Sequence, residues 1–478
     1  MNEMTSSVIR ARNPRTGQVD YTCPAFPASG LDALIAGLRA AQPGWVTAGI
    51  DGRATVLRAF CTALAARRED LLDALLADTG RLHESRIEAD AAGVWVDRWV
   101  EVAPRSLDTL PRDTGLAGIT GTAGFRPYPV VGVIGPWNFP LALGLMDAIP
   151  ALVAGCAVIL KPSEVTPRFV DVLQAALDEV PALAAIFRVV RGDGALGAAI
   201  VDQVDMVCFT GSTRTGRLVA RRAAERFIPC FTELGGKDPA LVLEGADIDR
   251  ATSALATGAT LGAGQQCYSI ERIYVPRSLH DGFVAQLAAK VARLRPNWPD
   301  PAQGHIGPIT FLPQAEILRR HLDDAIERGA RIVTGGAIET HGGGLWCQPT
   351  VLTDVDHSML IMREESFGPF LPVMAYDSLD EAVALANDSH YGLSAAVFGP
   401  EEAAQAVARR LDAGGVSIND AGLAPLFIGS PLVPEKTAFN HSGLGGSRTG
   451  ADSIRRFVRK QAILSNPATG PSPWWFSL

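Results

Sequence analysis

The pattern of apolar and polar positions divides the chain into an N-terminal helical part and a longer part in which short apolar segments alternate with helical ones. Residues 31–100 follow a helical period and are rich in Ala, Leu and Arg, for example over 53–77. From about residue 129 the pattern predicts short strands at 130–135, 157–160, 187–190, 206–210 and 240–243. Because segments of helical length separate these strands, we predict right-handed βαβ units and a parallel sheet.

A second series of the same kind predicts another α/β unit in the C-terminal half. It begins with a strand at 270–275 and a helix that ends near 294. Further strands are predicted at 331–333, 371–376, 393–398 and 414–418, and helices at 314–328, 378–387 and 402–411. Outside both series, the segment 108–129 has the alternation of a two-stranded ribbon. The Trp-rich end at 473–476 predicts a contact with another subunit or domain, or packing on its own domain.

Length and composition are those of a globular enzyme. The 478 residues suggest two or three domains, and the 47% of hydrophobic and 20% of charged residues are ordinary for a soluble protein. A net charge of −8 provides no basic face for nucleic acid. The longest apolar run, 148–160, is shorter than the about 20 residues of a membrane span and predicts a buried helix followed by a strand. No secretory signal is visible, so we expect a cytoplasmic protein.

The seven cysteines predict neither a disulfide framework nor a metal site. Their number is odd, their spacing is wide and no CxxC pair occurs. Cys267 stands in GQQC at 264–267, after a run of small residues. A lone cysteine is usually an inert core residue, and only about a few per cent of a free thiol is thiolate at neutral pH. The glycines around Cys267 indicate close approach by a ligand instead.

Ligands on parallel sheets bind beyond the carboxyl ends of the strands, so the residues that follow each strand are the candidates for chemistry. After the first strand, PWNFP at 136–140 presents Asn138, whose amide could stabilise a developing alkoxide. An ordinary turn hydrogen bond is the alternative. After the second, KPSE at 161–164 could hold a ribose hydroxyl or a phosphate, or be surface charge.

Two further segments end strands or apolar stretches. The sequence 211–216, Gly-Ser-Thr-Arg-Thr-Gly, precedes a helix whose backbone N–H groups would favour phosphate, although it is neither GxGxxG nor a P-loop. A simple turn capped by glycine is the alternative. Glu233 stands beside two glycines, where a carboxylate can swing and act as a base. A salt bridge to Lys237 is the competing interpretation.

Together these segments resemble the aldehyde dehydrogenase superfamily. The chain contains six motifs in that family's order and at its usual separations: PWNFP at 136–140, KPSE at 161–164, FTGST at 209–213, ELGGK at 233–237, GQQC at 264–267 and ESFGP at 365–369. The resemblance extends from about residue 10 to about residue 465.

The resemblance implies an α/β fold with three parts. A Rossmann-like parallel-sheet domain for the cofactor would comprise 1–107 and 130–235, and a second α/β domain, which is catalytic, would comprise 236–440. A small β element for oligomerisation would comprise 108–129 and 455–478. Homodimers or homotetramers are usual in the family.

The resemblance also implies a mechanism. Cys267 would attack an aldehyde, Asn138 and the Cys267 backbone N–H would hold the oxyanion, and Glu233 would activate the water that hydrolyses the resulting thioester. The cofactor would be NAD, because Glu164 should repel a 2′-phosphate, while Lys161 and Ser163 leave NADP possible. Cofactor contacts are implied for Ile134, Trp137, Lys161, Ser163, Glu164, Gly211, Ser212, Gly216, Leu234, Glu365 and Phe367.

Position suggests that the substrate pocket contains Leu143, Met146, Gln266 and Tyr268, with part of the segment 421–440. Since none of these four residues is basic, they favour an uncharged aldehyde over one that carries a carboxylate. A basic residue of the unusual segment, such as His441, would change this expectation, although His441 is expected at the surface or in a turn.

The chain departs from the family's pattern in three places. Asp147 stands where many hydrolytic members have Lys, and Pro-Glu-Lys-Thr-Ala-Phe at 434–439 replaces the usual Pro-Phe-Gly-Gly turn. No Glu follows the Ser-Gly pair at 442–443 within the next few residues. These changes leave the core mechanism in place and open the questions of substrate access, water access and pH profile.

Two other functions remain open on sequence grounds. A dehydrogenase that passes the acyl group to coenzyme A typically lacks the glutamate of ELGGK, so Glu233 argues for hydrolysis. A non-catalytic binding or structural descendant would be expected to have lost Cys267 or Asn138, and both are present.

Overall fold

The structure is a computed structural model that describes residues 8–109, 111–116, 118–423 and 430–476. Its helices are α1 Leu31–Thr47, α2 Gly49–Ala65, α3 Arg68–Thr79, α4 Leu82–Ser106, α5 Ala142–Ala154, α6 Phe169–Asp178, α7 Pro181–Ala184, α8 Gly194–Val201, α9 Thr213–Glu225, α10 Ile248–Thr260, α11 His280–Val291, α12 Gln314–Glu327, α13 Leu360–Arg363, α14 Leu379–Asn387 and α15 Glu401–Ala408.

The strands form two large sheets and several small ones. They are β1 Val8–Arg12, β2 Val19–Pro24, β3 Pro111–Asp113, β4 Thr120–Pro127, β5 Val130–Ile134, β6 Ala157–Lys161, β7 Phe187–Val189, β8 Met206–Thr210, β9 Cys230–Glu233, β10 Asp238–Val242, β11 Ile270–Pro276, β12 Arg331–Thr334, β13 Ile338–His341, β14 Gly344–Cys347, β15 Thr350–Thr353, β16 Phe370–Tyr376, β17 Tyr391–Gly392, β18 Ser394–Phe398, β19 Gly415–Ile418, β20 Phe439–Asn440, β21 Gly443–Leu444 and β22 Val458–Ser465.

The first large sheet has the strand order β21-β9-β8-β5-β6-β7, in which β5 to β9 are parallel and β21 is antiparallel. Every residue of β5, β6 and β8 is buried, as expected for strands with helices on both faces. From β5 the chain first adds strands on one side, β6 and β7, and then on the other, β8 and β9. The order therefore reverses between β5 and β8, and the crevice for a ligand lies at their carboxyl ends.

The second large sheet has the order β12-β15-β16-β11-β10-β18-β19 and is parallel except where β12 meets β15. Its two faces are covered by separate apolar clusters, while one continuous cluster surrounds the first sheet. The predicted parallel-sheet α/β fold is thereby observed in both halves of the chain.

The ribbon predicted at 108–129 forms as β3 and β4, and β22 extends it to a three-stranded antiparallel sheet. β22 pairs with β4 over eight residues, from Val458↔Pro127 to Ser465↔Thr120. The aromatic tail beyond it is exposed, with 63% of Trp474, 59% of Trp475 and 93% of Phe476 accessible. The alternative in which this tail packs on its own domain is therefore wrong.

The predicted strands are confirmed with ends within two residues of those observed. The helical segment 53–77 is interrupted, because α2 ends at Ala65 and α3 begins at Arg68. The first turn of α3 carries Glu69 and Asp70, which favour a helix start by interacting with the helix dipole. No helix in the described residues is long and apolar enough to cross a membrane.

Candidate active site

Asn138 lies in the turn after β5, where it is 4% exposed. Its Nδ2 donates to the backbone oxygen of Gln265 at 3.0 Å, and Gln265 precedes Cys267 by two residues. An amide nitrogen carries two hydrogens, so this bond leaves the second available. The structure thus brings the predicted oxyanion donor to the loop that carries the predicted nucleophile.

The loop that carries Cys267 leaves α10 through three residues with positive φ, Gly262 at 62°, Ala263 at 59° and Gly264 at 70°. A Cβ on Gly264 would lie 2.3 Å from the backbone carbon of Gly368 and 2.5 Å from its oxygen. The sequence interpretation of this glycine, space for a ligand, is wrong. Its space is taken by the backbone of the ESFGP segment, which explains why these two distant motifs occur together.

Arg81, which sequence reasoning missed, ties the two loops together. It is fully buried just before α4, and its guanidinium donates to the backbone oxygens of Asn138 and, at 3.2 Å, of Gly262. Glu84, three residues on, accepts from the Gly262 N–H at 2.8 Å. The first residues of α4 and the residue before it therefore hold the loop of Asn138 and the loop of Cys267 in a fixed relation.

Glu88, one turn further along α4, completes this arrangement. It accepts from the backbone N–H groups of Leu141 at 3.0 Å and Ala142 at 2.9 Å. Burial raises the pKa of Glu88 to about 8. The available signal in the sequence was a pair of acidic residues, Glu84 and Glu88, spaced to share one face of a predicted helix.

Cys267 is half-buried, and all seven cysteines are free thiols. Burial and, to a smaller extent, the charge of Glu233 raise the pKa of Cys267 to about 12, which places that carboxylate near the sulfur. Glu233 is half-buried at the end of β9, and its side chain has no hydrogen bond or ion pair with the described residues. A carboxylate that forms no hydrogen bond or ion pair with the described residues can accept a proton from water.

The salt bridge from Lys237 to Glu233, the alternative interpretation, does not form. Lys237 is buried and pairs with Glu271 at 2.6 Å, and it also donates to the Ser366 hydroxyl at 3.2 Å. Glu271, another residue that sequence reasoning missed, accepts in addition from the backbone N–H groups of Ser366 and Phe367, both at 2.8 Å. This pair anchors the ESFGP segment beside the ELGGK segment.

Glu365 and Phe367 belong to the ESFGP segment, which the Lys237–Glu271 pair holds. The Glu365 carboxylate accepts from the Gly236 N–H at 3.0 Å, and burial raises its pKa to about 8. The Phe367 ring meets the Trp137 ring edge to face, with 5.4 Å between centroids. Residues predicted to contact the cofactor from two separate motifs, PWNFP and ESFGP, therefore lie together beside the ELGGK segment.

Lys161 closes β6 and is buried with all three ammonium hydrogens engaged. Its Nζ contacts the backbone oxygens of Pro162 at 2.9 Å and Gly192 at 2.7 Å, and Glu164 at 3.3 Å. A ribose hydroxyl would share or replace one of these bonds. Ser163, also buried, accepts from the Val165 N–H at 3.2 Å, so its hydroxyl hydrogen remains available to a ligand.

Ser212 caps α9 at the carboxyl end of β8. Its Oγ accepts from the Thr215 N–H at 3.3 Å, and the 13-residue helix directs its first N–H groups into the crevice. The glycines on either side are closely packed against protein side chains. A Cβ on Gly211 would lie 2.7 Å from the Phe209 ring, and one on Gly216 would lie 2.4 Å from Leu234.

Three of the four predicted substrate residues are buried, Leu143, Met146 and Gln266. The Gln266 Oε1 has no hydrogen-bond partner among the described residues. Tyr268 is half-buried; burial raises its pKa well above the usual value, and the charges of Cys267 and Glu88 raise it further. The structure therefore places Tyr268 close to the thiol. Of the remaining predicted segment, 424–429 lies outside the described residues.

Two other predicted positions lie away from the thiol. Ile134, the last residue of β5, is buried in the core around the first sheet. His441 is exposed as expected, and its ring stacks on His390 with 5.4 Å between centroids. Among the described residues, no group of three or more His, Cys, Asp and Glu side chains is arranged to hold a metal ion.

Asp147 forms buried ion pairs with two arginines. Its buried carboxylate accepts from Arg448 at 3.1 Å and from Arg456 at 2.7 Å. Arg448 also donates to the Thr210 hydroxyl at 2.6 Å. This departure from the family's pattern therefore anchors the chain after 442 to α5 and to the end of β8.

We expect Asp147→Ala to lower the free energy of unfolding by about 3–5 kcal/mol, because it leaves two buried guanidinium groups without their counter-ion. Asp97→Ala is the matched control, since Asp97 pairs with Arg58 in solvent, and its effect should be within about 0.5 kcal/mol. Denaturant unfolding followed by circular dichroism measures both. Equal losses in the two variants would contradict the anchoring role.

A model of the aldehyde dehydrogenase family matches residues 2–463. The chain belongs to the aldehyde dehydrogenase family. It is 36% identical over 462 residues to a protein of Mycolicibacterium smegmatis provisionally named a succinate-semialdehyde dehydrogenase (NADP+), covering 96% of this chain and 89% of that protein.

Solved structures of family members agree with the fold. A provisionally named aldehyde dehydrogenase, PutA, from Anabaena variabilis is 50% identical with a TM-score of 0.96, covering 98% of this chain and all of that one. A betaine aldehyde dehydrogenase from Staphylococcus aureus, solved in complex with NAD+, is 28% identical with a TM-score of 0.89, covering 98% and 94%. The predicted fold and the predicted reaction class, aldehyde oxidation by a dehydrogenase, are confirmed.

Proposed function

We propose that this aldehyde dehydrogenase converts its substrate to the carboxylic acid through a thioester on Cys267, which is hydrolysed by a water molecule that Glu233 activates. The observation that carries the proposal is the bond between the Asn138 amide and the Gln265 backbone, two residues before the thiol. The Glu233 carboxylate, whose charge acts on the same sulfur, supports the hydrolytic step.

The first step forms a bond between the Cys267 sulfur and the aldehyde carbon, and the carbonyl electron pair moves to oxygen. The second hydrogen of the Asn138 amide and the Cys267 backbone N–H stabilise this oxyanion. Donors that are already oriented do not reorganise during the reaction, and each is worth about a hundred- to a thousandfold in rate. The contacts of Arg81 with both loops supply that orientation.

The last step breaks the thioester. Glu233 accepts a proton from water as the water oxygen attacks the acyl carbon, the oxyanion donors act a second time, and the carbon–sulfur bond breaks to release the acid. Because Glu233 forms no hydrogen bond or ion pair with the described side chains, it can turn toward the water without breaking one.

NAD fits the residues at the carboxyl edge of the first sheet, and NADP remains possible. Lys161 and Glu164 would hold the adenosine ribose, the α9 N–H groups beside Ser212 the pyrophosphate, and Glu365 with Phe367 the nicotinamide ribose and ring. When bound, the cofactor accepts the hydride of the aldehyde carbon. Trp137 and Leu234 would line the same crevice. One relative is named for NADP+ and one neighbour is solved with NAD+.

We also propose that two or four copies assemble through the sheet of β3, β4 and β22. The chain itself would divide into the cofactor domain, the catalytic domain and the oligomerisation element at residues 108, 130, 236, 441 and 455. β22 has an unpaired edge, and its exposed Ile463 and Leu464 continue into the aromatic tail. Light scattering of the purified protein tests the assembly.

A cytoplasmic location is supported by the seven free thiols.

Product analysis tests the proposed reaction. Purified protein is mixed with NAD or NADP and a panel of uncharged and carboxylate-bearing aldehydes, and the absorbance of the reduced cofactor is followed with and without coenzyme A. We expect the free acid as product without coenzyme A, with Leu143, Met146, Gln266 and Tyr268 determining the preferred aldehyde. A strict requirement for coenzyme A would remove Glu233 from its role.

A further inference from the structure

Lys436 is a half-buried lysine in the 434–439 segment, which departs from the family's pattern. It covers Gly415, the first residue of β19, where a Cβ would lie 3.0 Å from the lysine Cδ and 4.0 Å from Nζ. The Lys436 backbone N–H donates to the Ser447 hydroxyl at 3.1 Å, which fixes this part of the segment. Its ammonium has no hydrogen bond or ion pair with any described residue.

A short series of contacts leads from Lys436 to the thiol. Gly415 is paired in register with Ser394 of β18, and Ser394 donates through both its N–H and its hydroxyl to the Asp238 carboxylate. A Cβ on Gly236 would lie 2.7 Å from that carboxylate and 2.5 Å from the backbone oxygen of Cys267. The lysine, the aspartate and the cysteine therefore lie in series along the amino ends of β10, β18 and β19.

The charges at this place act on the thiol in opposite directions. Besides burial, Glu233, Asp238 and Glu365 raise the pKa of Cys267, and Lys436 lowers it. Tyr268 also faces the thiol, and burial holds the pKa of its phenol well above the neutral range. Burial raises the pKa of Asp238 to about 7, although the positive charge of Lys436 opposes this increase. Lys237, the other nearby lysine, is already paired with Glu271.

We propose that the Lys436 ammonium is the counter-charge that favours the thiolate form of Cys267, which makes it a positioning residue in a place where the family usually has an uncharged turn. The inference rests on the proposed function, since it requires Cys267 to be the nucleophile. An ammonium that forms no ion pair with the described residues and lies in half-buried surroundings interacts with a forming thiolate more strongly than it would in water. No bond to another side chain has to break for it to do so.

Alkylation of Cys267 tests the proposal without relying on turnover. The full-length protein and its Lys436→Met variant are treated with iodoacetamide over a range of pH, and modification of the Cys267 peptide is followed by mass spectrometry. We expect alkylation of the variant to be about five- to tenfold slower near neutral pH, with the pH profile moved to higher pH, because loss of the cation disfavours the thiolate. Lys436→Arg should restore the wild-type profile.

The controls separate a local charge effect from a general one. Lys460→Met removes an exposed lysine of β22 and should leave the Cys267 profile unchanged, and the half-buried Cys61 serves as an internal reference in every sample. Thermal unfolding verifies that Lys436→Met remains folded, as expected for a side chain without a bonded partner.

Two outcomes would overturn the inference. An unchanged iodoacetamide profile in Lys436→Met means that the lysine does not act on the thiol. A slower reaction with the anionic reagent iodoacetate alone means that Lys436 attracts anions, such as a substrate carboxylate, and does not stabilise the thiolate. Failure of the proposed function has a different signature, which is aldehyde oxidation that persists when Cys267 is replaced.

Discussion

Replacing Cys267 by Ala is expected to lower the rate of aldehyde oxidation by a factor on the order of 10⁴ or more. Without the sulfur no covalent bond to the aldehyde carbon forms, and no acyl intermediate exists for Glu233 to hydrolyse. The oxyanion donors alone do not create an electron-rich carbon from which hydride leaves easily. The rate is measured from the absorbance of the reduced cofactor at saturating aldehyde.

Binding of the cofactor should survive this substitution, since the residues proposed to hold its adenosine ribose and pyrophosphate lie at the carboxyl edge of the first sheet. Isothermal titration with NAD or NADP measures this directly. Cys61→Ala is the matched control, because Cys61 is a half-buried thiol on α2, away from the site, and should leave turnover unchanged. A Cys267→Ala enzyme with wild-type turnover would falsify the assignment of the nucleophile.

Glu233→Gln is expected to slow steady-state turnover by about a hundred- to a thousandfold while leaving hydride transfer nearly intact. Glutamine occupies the same volume but cannot accept a proton from water, so the thioester accumulates. Mixing enzyme, cofactor and aldehyde in a stopped-flow instrument should then show a rapid burst of about one reduced cofactor per active site, followed by a slow phase. Intact mass spectrometry should detect the acyl group on Cys267.

The control for this experiment is Glu225→Gln, which removes an exposed carboxylate at the end of α9 and should behave as wild type. Loss of the burst would contradict the proposed role of Glu233 in hydrolysis. If the first turnover slowed as much as the later ones, Glu233 would act before the thioester forms, for example by accepting the thiol proton. Its role in hydrolysis would then have to be abandoned.

Much of the fold could be predicted because strands and helices leave local patterns in the sequence, and the residues proposed to react were predicted from short motifs. Strand positions follow from runs of apolar residues, and these runs survive in β5, β6 and β8 because each strand is buried on both faces. Shorter or more polar strands such as β9 and β15 escaped prediction, since pairing with neighbours, more than composition, makes them strands.

The supporting residues of the site could not be predicted in the same way. Arg81 acts on a backbone oxygen 57 residues away and on another 181 residues away, and no local pattern records such contacts. The same holds for Glu271, which holds a segment 95 residues further on. Asp147 looked like a change at the site, yet it pairs with arginines more than 300 residues away.

By itself the sequence predicted which thiol, amide and carboxylate would serve aldehyde chemistry, because each stands in a short motif whose spacing is local. Only the tertiary structure decided what surrounds them: that protein groups pack against Gly264 and Gly216, that Lys237 pairs with Glu271, and that the charge of Lys436 acts on the thiol. The reason is that burial and charge around an atom depend on chain segments brought together by folding, and electrostatic interactions depend on distance in space and on local polarity.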